Sequence, residues 1–268
     1  RTLNQSIYMV KGIEQFKAYF AAFPDNYIII GGTACDMIIE DEGLVPRATK
    51  DIDIILVIEA LNPEFLKKFW QFIKEGNYNR KEISSDERQY YRFMDPENED
   101  FPQQIELFSR KPDLIELDPE MHLTPIPVDD DLSSLSAILL NDTFYQFIRE
   151  HSVVVSDVHR ANTEALIALK AKAYLDITGR IANGSKEDSK HLKKHKNDCL
   201  KLALLFTGEE RFELPQPIKE LMIDFLKMIK EDLPTPDVFK AMGMKGAKSE
   251  DALDVIKSVF TITNEDLA

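Results

Sequence analysis

Hydrophobic positions change their period several times along this chain, and each change marks an element. From residue 7 to residue 23 the apolar side chains Ile13, Phe16, Phe20 and Phe23 recur at helical spacing until Pro24-Asp25-Asn26 ends the run. That pattern predicts an amphipathic helix with one face packed inward. Tyr27 to Ile30 is then a continuous apolar run that stops at Gly31-Gly32, the mark of a short buried strand closed by a glycine turn. Thr33 is placed to cap a helix over about Ala34 to Asp41. After a loop containing Arg47, Asp51-Ile52-Asp53 runs straight into Ile54 to Ile58, which predicts a second strand. Asn62-Pro63 opens a helix through about Lys74, with Phe65, Phe69, Trp70 and Ile73 on its buried side. The polar stretch from Gly76 to Asp100 holds a strand-like segment, Gln89 to Met94, and an exposed acidic turn, Asp95 to Asp100. Gln103 to Phe108 alternates polar and apolar, as a half-buried strand does.

The second half reads differently. Leu114 to Pro127 is a proline-punctuated connector, and the acidic triplet Asp129 to Asp131 reads as a solvated turn. A strand over Ser136 to Leu140, a helix over Thr143 to Glu150 and a brief strand over Val153 to Val155 follow. From His159 onward the pattern turns helical. Thr163 to Thr178 carries the stripe Leu166, Ile167, Leu169, Ala173, Tyr174 and Ile177, broken at Gly179 to Gly184. Further helices are predicted over Lys186–Phe206 and Pro217–Lys230, with short closing ones over Asp237–Ala241 and Glu250–Phe260. The expected architecture is α/β (α+β): a mixed sheet with flanking helices over residues 1–130, then a mostly helical region over 131–268 that completes a cleft.

Composition narrows the class. The 268 residues suffice to bury a real core, and no apolar run approaches membrane-spanning length. The opening RTLNQSIYMV has neither an initiating Met nor an apolar signal core, so a trimmed start is expected. Cys35 and Cys199 stand far apart with no C-x-x-C, which argues against a zinc ribbon or disulfide scaffold and fits a reducing cytoplasm. A net charge of -14 excludes long-range attraction for bulk nucleic acid.

Chemistry enters at Asp51 and Asp53. Residues two apart on a strand share a face, so these carboxylates project side by side and repel. A divalent cation resolves that conflict, and oxygen-only ligands favour Mg²⁺ or Mn²⁺. The glycine turn and helix start upstream supply backbone N–H groups suited to phosphate. Together they describe a nucleoside triphosphate site. On core strand Gln103–Phe108, Glu106 lies on the opposite side from Ile105 and Leu107, which puts one carboxylate on one face of that strand.

These residues carry a family resemblance. Gly31-Gly32-Thr33-Ala34, Arg47, Thr49 and Asp51-Ile52-Asp53 resemble the nucleotidyltransferase superfamily that includes DNA polymerase β, and within it the AbiEii-type abortive-infection enzymes. Glu106 stands where that family expects its third acid, although Asp is its usual choice there. The resemblance implies transfer of a nucleoside monophosphate from an NTP to an acceptor hydroxyl: tRNA, a protein or a small molecule. Asp51, Asp53 and Glu106 would hold the metal, Gly31, Gly32 and Thr33 the phosphates, with Arg47 beside them. A toxin-like role and a cognate antitoxin are expectations of the same kind.

In the helical half, Lys170 shares the apolar face of Leu166, Ile167 and Tyr174, so its charge must snorkel out or meet an anion. Lys196-Asn197-Asp198 follows on the next helix, and a lysine helix followed by K-x-D resembles the family's later motifs. Lys170 and Lys196 are therefore expected at the triphosphate and Asp198 at the catalytic pocket. His191 and His195 are four apart but lack a Glu or Cys companion, and read as surface residues. The lysines from Lys186 to Lys196 form the one basic patch suited to a phosphate-rich acceptor. The alternative is a binding module that keeps this fold without turnover. In an enzyme Asp51, Asp53 and Glu106 converge beside Gly32; in a binding module Glu106 points elsewhere or pairs with a basic residue.

Overall fold

The computed structural model describes residues 10–84, 90–109, 124–126, 141–186 and 189–268. The chain divides into two compact units: residues 1–128 with Ser152–Ala161, and residues 129–151 with Asn162–Ala268. The expected boundary near residue 130 falls close to the end of the first unit's main run, but the hairpin at 152–161 returns to it.

The first unit is built on one mixed sheet. Its strands are β1 (Tyr27–Ile30), β2 (Asp51–Leu56), β3 (Tyr78–Ser84), β4 (Tyr90–Pro96), β5 (Gln104–Phe108), β6 (Thr124–Ile126), β7 (Ser152–Val155) and β8 (Val158–Ala161). Their order is β6-β3-β4-β5-β2-β1-β8-β7. β1 is buried at all four positions and runs antiparallel to β2 and parallel to β8, while β2 and β5 are parallel. Helices α1 (Ile13–Phe20) and α3 (Pro63–Gly76) cover one face. Phe16 meets Tyr27 edge-on, and Phe69 and Trp70 meet Phe93 in the same way. Trp70 is a core residue, as expected. Asn62 caps α3 by accepting from the Phe65 N–H at 2.8 Å, with Pro63 in the first turn where its missing donor costs nothing.

Four expectations need correction. α1 begins at Ile13, where the chain turns through Gly12 at φ +79°. β3 was hidden because YNRKEIS has few apolar residues and shows no alternation. β8 lies where a helical pattern was expected. It pairs with β7 through Ser156 and Asp157, both at positive φ (48° and 65°), a two-residue hairpin turn without the usual Asn-Gly signature. Part of the proline-punctuated connector is β6, which pairs with β3. The acidic triplet Asp129–Asp131 and the expected strand Ser136–Leu140 lie outside the described residues.

The second unit is helical: α4 (Asp142–Glu150), α5 (Thr163–Ala182), α6 (Ser189–Ala203), α7 (Gln216–Ile229), α8 (Asp237–Lys240) and α9 (Ser249–Val259). α5 is its axis, buried along most of Glu164–Ala171 and packed against α6 and α7. The expected break over residues 179–184 falls at its far end, with Gly184 at φ +93° and Gly179 still helical. The helix runs to Ala182 because an exposed helical glycine costs only about 1 kcal/mol. Among the described residues no helix is long and apolar enough to cross a membrane.

Candidate functional site

The sheet face away from α1 and α3 carries a row of charges that strand register alone assembles. Asp53 lies opposite Ile30 on one side and Glu106 on the other; Glu106 lies opposite Arg92, and Arg92 opposite Glu82. Directly paired residues share a face, so the four side chains form one line across β2, β5, β4 and β3. Asp51 is two residues before Asp53 on that face, paired with Gln104. Asp51 and Asp53 are half-buried and Glu106 is buried. Burial first, and then the negative charge of Asp53, push the Glu106 carboxyl well above its ordinary range, against the pull of Arg92.

Glu106 has two donors on one oxygen. Arg92 Nε donates to Oε1 at 2.9 Å and Gln104 Nε2 donates to it at 2.8 Å. Arg92 Nη1 also stands 3.9 Å from Glu82 Oε2, and Glu82 Oε1 accepts from Arg80 at 3.1 Å. Neither Arg92, Glu82 nor Gln104 was singled out from sequence. The signal was available in YYRFM, where an arginine between two aromatics on a strand must find a buried anion.

Helix α2 (Gly31–Asp41) starts at the edge of this row. It begins at Gly31 directly after β1, with Ile30 as its N-cap. The expected cap by Thr33 is therefore wrong. Thr33 is buried inside the first turn, and its hydroxyl donates to the Asp51 carbonyl oxygen. The N–H groups of Gly31, Gly32 and Thr33 are the ones left without a partner inside the helix. Gly31 has φ +69°, and a Cβ there would sit 1.9 Å from Asp53 Oδ2. Only glycine allows the carboxylate to lie against the helix start. A Cβ on Gly32 would meet the Thr49 side chain at 2.9 Å.

The loop into β2 is tied down by Asp36, a buried carboxylate on α2 missed from sequence. Its Oδ1 accepts from the Arg47 N–H at 3.3 Å and its Oδ2 from the Thr49 N–H at 2.7 Å. Ala48 between them takes a positive φ of 59°. The Arg47 residue itself is exposed. The lone acid in the stripe of Ala34-Cys35-Asp36-Met37-Ile38 was the visible clue.

An all-oxygen pair that resists joint ionisation fits a hard divalent cation, so Asp53 and Glu106 fit Mg²⁺ or Mn²⁺ as donors, with Asp51 next along the strand. Among the described residues no three His, Cys, Asp or Glu side chains gather at metal-binding spacing.

The remaining sequence candidates belong to the second unit. Lys170 Nζ donates to Asp198 Oδ2 at 2.8 Å, both buried, so the lysine on the apolar face of α5 meets an anion from α6. Lys196 is also buried and donates to the Asp232 carboxylate at 2.5 Å and to its backbone carbonyl. Those contacts engage Lys170, Lys196 and Asp198 with partners inside their own unit. His191 is exposed as expected, but His195 is not the surface residue it appeared to be. Its Nδ1 is buried with no hydrogen-bond partner, and burial followed by the Lys170 charge lowers its pKa to about 3.

No family model matches the chain, and no curated protein matches it. Among solved structures, the crystal structure of the Megavirus polyadenylate synthase is similar over 100% of this chain, at 12% identity and a TM-score of 0.37. The chain spans about half of that protein, 52% of its length. A likeness that slight carries no weight for activity.

Proposed function

We propose that this chain is a divalent-cation-dependent nucleotidyltransferase that moves a nucleoside monophosphate from an NTP to an acceptor hydroxyl and releases pyrophosphate. The observation that carries the reading is the register Ile30–Asp53–Glu106, which seats two carboxylates of separate strands beside the Gly31 start of α2. Asp53 and Glu106 would supply two oxygen ligands to Mg²⁺ or Mn²⁺, with the nucleotide phosphates and water taking the other positions; Asp51 does not gather with them into a group of three. The bound ion would polarise the transferring phosphoryl group and stabilise its developing charge. The Gly31, Gly32 and Thr33 N–H groups would take phosphate oxygens. Glu106 would either share the metal on the acceptor side or act as the base that takes the acceptor's hydroxyl proton. The acceptor is a tRNA, a protein or a small molecule. The AbiEii-like residues favour a toxin-like enzyme with a cognate antitoxin.

A second reading is a nucleotide-binding or partner-binding module without turnover. The Arg92–Glu106 ion pair favours it, because a base that also serves as a structural partner is less available for chemistry. Label transfer separates the two. The protein, Mg²⁺ and each α-³²P NTP are incubated with cell extract, with Asp53→Ala as control. Label carried onto an RNA, protein or small-molecule fraction only by the wild type supports the enzyme. No transfer from any NTP, with NTP still bound, favours the module.

A further inference from the structure

The charged row has two members with no part in the chemistry above, Arg92 and Glu82. Arg92 is nearly buried, its side chain 13% exposed, between two acids that are themselves 9% and 11% exposed. Its guanidinium makes separate contacts on two sides: Nε to Glu106 and Nη1 toward Glu82. Glu82 in turn takes a hydrogen bond from Arg80. The arrangement uses the separated nitrogens of arginine, one bonded to Glu106 and another within ion-pair distance of Glu82; a lysine ammonium is a single point charge.

We propose that Arg92 is the positioning residue of Glu106: anchored by Glu82, it fixes the Glu106 carboxylate on the Asp53 side of the sheet, and so sets the affinity of the Asp53–Glu106 pair for a divalent cation. This inference rests on the nucleotidyltransferase reading of that pair. Gln104 assists from the same strand by donating to the oxygen that Arg92 holds. Without these donors the like charge of Asp53 drives the buried Glu106 carboxylate to rotate away, which removes a ligand.

The sign of the effect makes the idea testable, because the arginine charge acts in both directions. As a simple counter-charge, Arg92 competes with the cation, and removing it tightens binding. As a positioning residue it prepares the ligand, and removing it weakens binding. Outer-shell partners of metal ligands typically change metal affinity by about 10- to 100-fold, so the positioning effect is large enough to show its sign.

The experiment is a Mn²⁺ titration of the full chain without nucleotide, followed by the EPR signal of free Mn²⁺. It compares wild type, Arg92→Gln, Arg92→Lys and Glu82→Gln, with far-UV circular dichroism and thermal midpoints as folding controls. Glu82→Gln keeps Arg92 in place and loosens only its anchor, so it tests the inference even if Arg92→Gln does not fold. The expected result is Mn²⁺ affinity about 10-fold or more weaker in Arg92→Gln, an intermediate loss in Arg92→Lys, and a smaller loss in Glu82→Gln. Unchanged or tighter Mn²⁺ binding in folded Arg92→Gln and Glu82→Gln overturns the inference and leaves the cation site standing. Failure of folded wild type to bind Mn²⁺ overturns the proposed function itself, and the inference with it.

Discussion

Removing Asp198 should be among the most damaging single changes in the helical unit. The Lys170 and Asp198 side chains are 6% and 5% exposed, and their 2.8 Å contact joins α5 to α6. Asp198→Asn leaves an ammonium buried without its counter-charge, which costs about 3–5 kcal/mol. At roughly 2–4 °C per kcal/mol for a chain of this order, the midpoint falls by about 6–20 °C. Lys170→Met leaves the carboxylate uncompensated and should cost a similar amount. The double variant Lys170→Met/Asp198→Leu replaces both charges by apolar groups and should recover most of the loss. Far-UV circular dichroism on heating gives the midpoint and in urea the free energy, because the second unit is helical and the lone Trp70 reports the first unit. Closed with the Asp198→Leu single variant, the double-mutant cycle should give a coupling of about 5 kcal/mol or more, the two single losses less the small loss of the double variant. The His195 imidazole supplies an independent readout: without the Lys170 charge its pKa should rise from about 3, as followed by proton NMR. Single variants that each lose less than about 1 kcal/mol, with an additive double variant, would mean the pair is screened like a surface bridge and refute the reasoning.

Gly31→Ala should keep the fold but displace Asp53, since its Cβ has no room beside Oδ2 and the positive φ adds about 1 kcal/mol of strain; cation and NTP titrations should show the loss, with Gly32→Ala milder because its nearest contact is 2.9 Å rather than 1.9 Å and its φ is not positive. Asp36→Asn replaces two charge-assisted bonds to the Arg47 and Thr49 N–H groups and should cost about 1–3 kcal/mol, read by thermal denaturation and by faster proteolysis in the loop at 44–50. His195 gives a pH signature. Its folded pKa lies below its ordinary 6.5, so the unfolded chain takes up the proton first as pH falls. The stability lost is at most ~1.4 kcal/mol per pH unit between about 6.5 and 3. The difference in midpoint between wild type and His195→Gln, measured from pH 7 to pH 4, should shrink accordingly.

The central strands were legible because their chemistry is local. Tyr27–Ile30 and Ile54–Leu56 are apolar runs bounded by glycines or acids, and the spacing of Asp51 and Asp53 follows from the strand period alone. What brings Glu106 beside Asp53 is a parallel pairing between strands some fifty residues apart, and no local pattern encodes that register. The alternation of Gln104–Phe108 gave only the face. β3 and β8 were lost for opposite reasons: one is polar because its charges serve the row on the sheet, the other too short to show a period before a long helix begins. Lys170 was legible as a charge needing an anion, and Asp198 was picked separately; that each is the other's partner depends on how two helices pack. His195, half-buried in the fold, was misjudged because the sequence shows its spacing from His191 but not the burial of its Nδ1.

The claim that matters most is that the Asp53–Glu106 pair beside Gly31 is a cation-dependent NTP site, and equilibrium binding of the four NTPs tests it. Each is titrated with and without Mg²⁺ into wild type and Asp53→Ala, with folding checked in parallel. The account predicts that at least one NTP binds the wild type only with Mg²⁺, and that Asp53→Ala abolishes this binding. Folded wild type that binds no NTP, or binding indifferent both to Mg²⁺ and to Asp53, would contradict it.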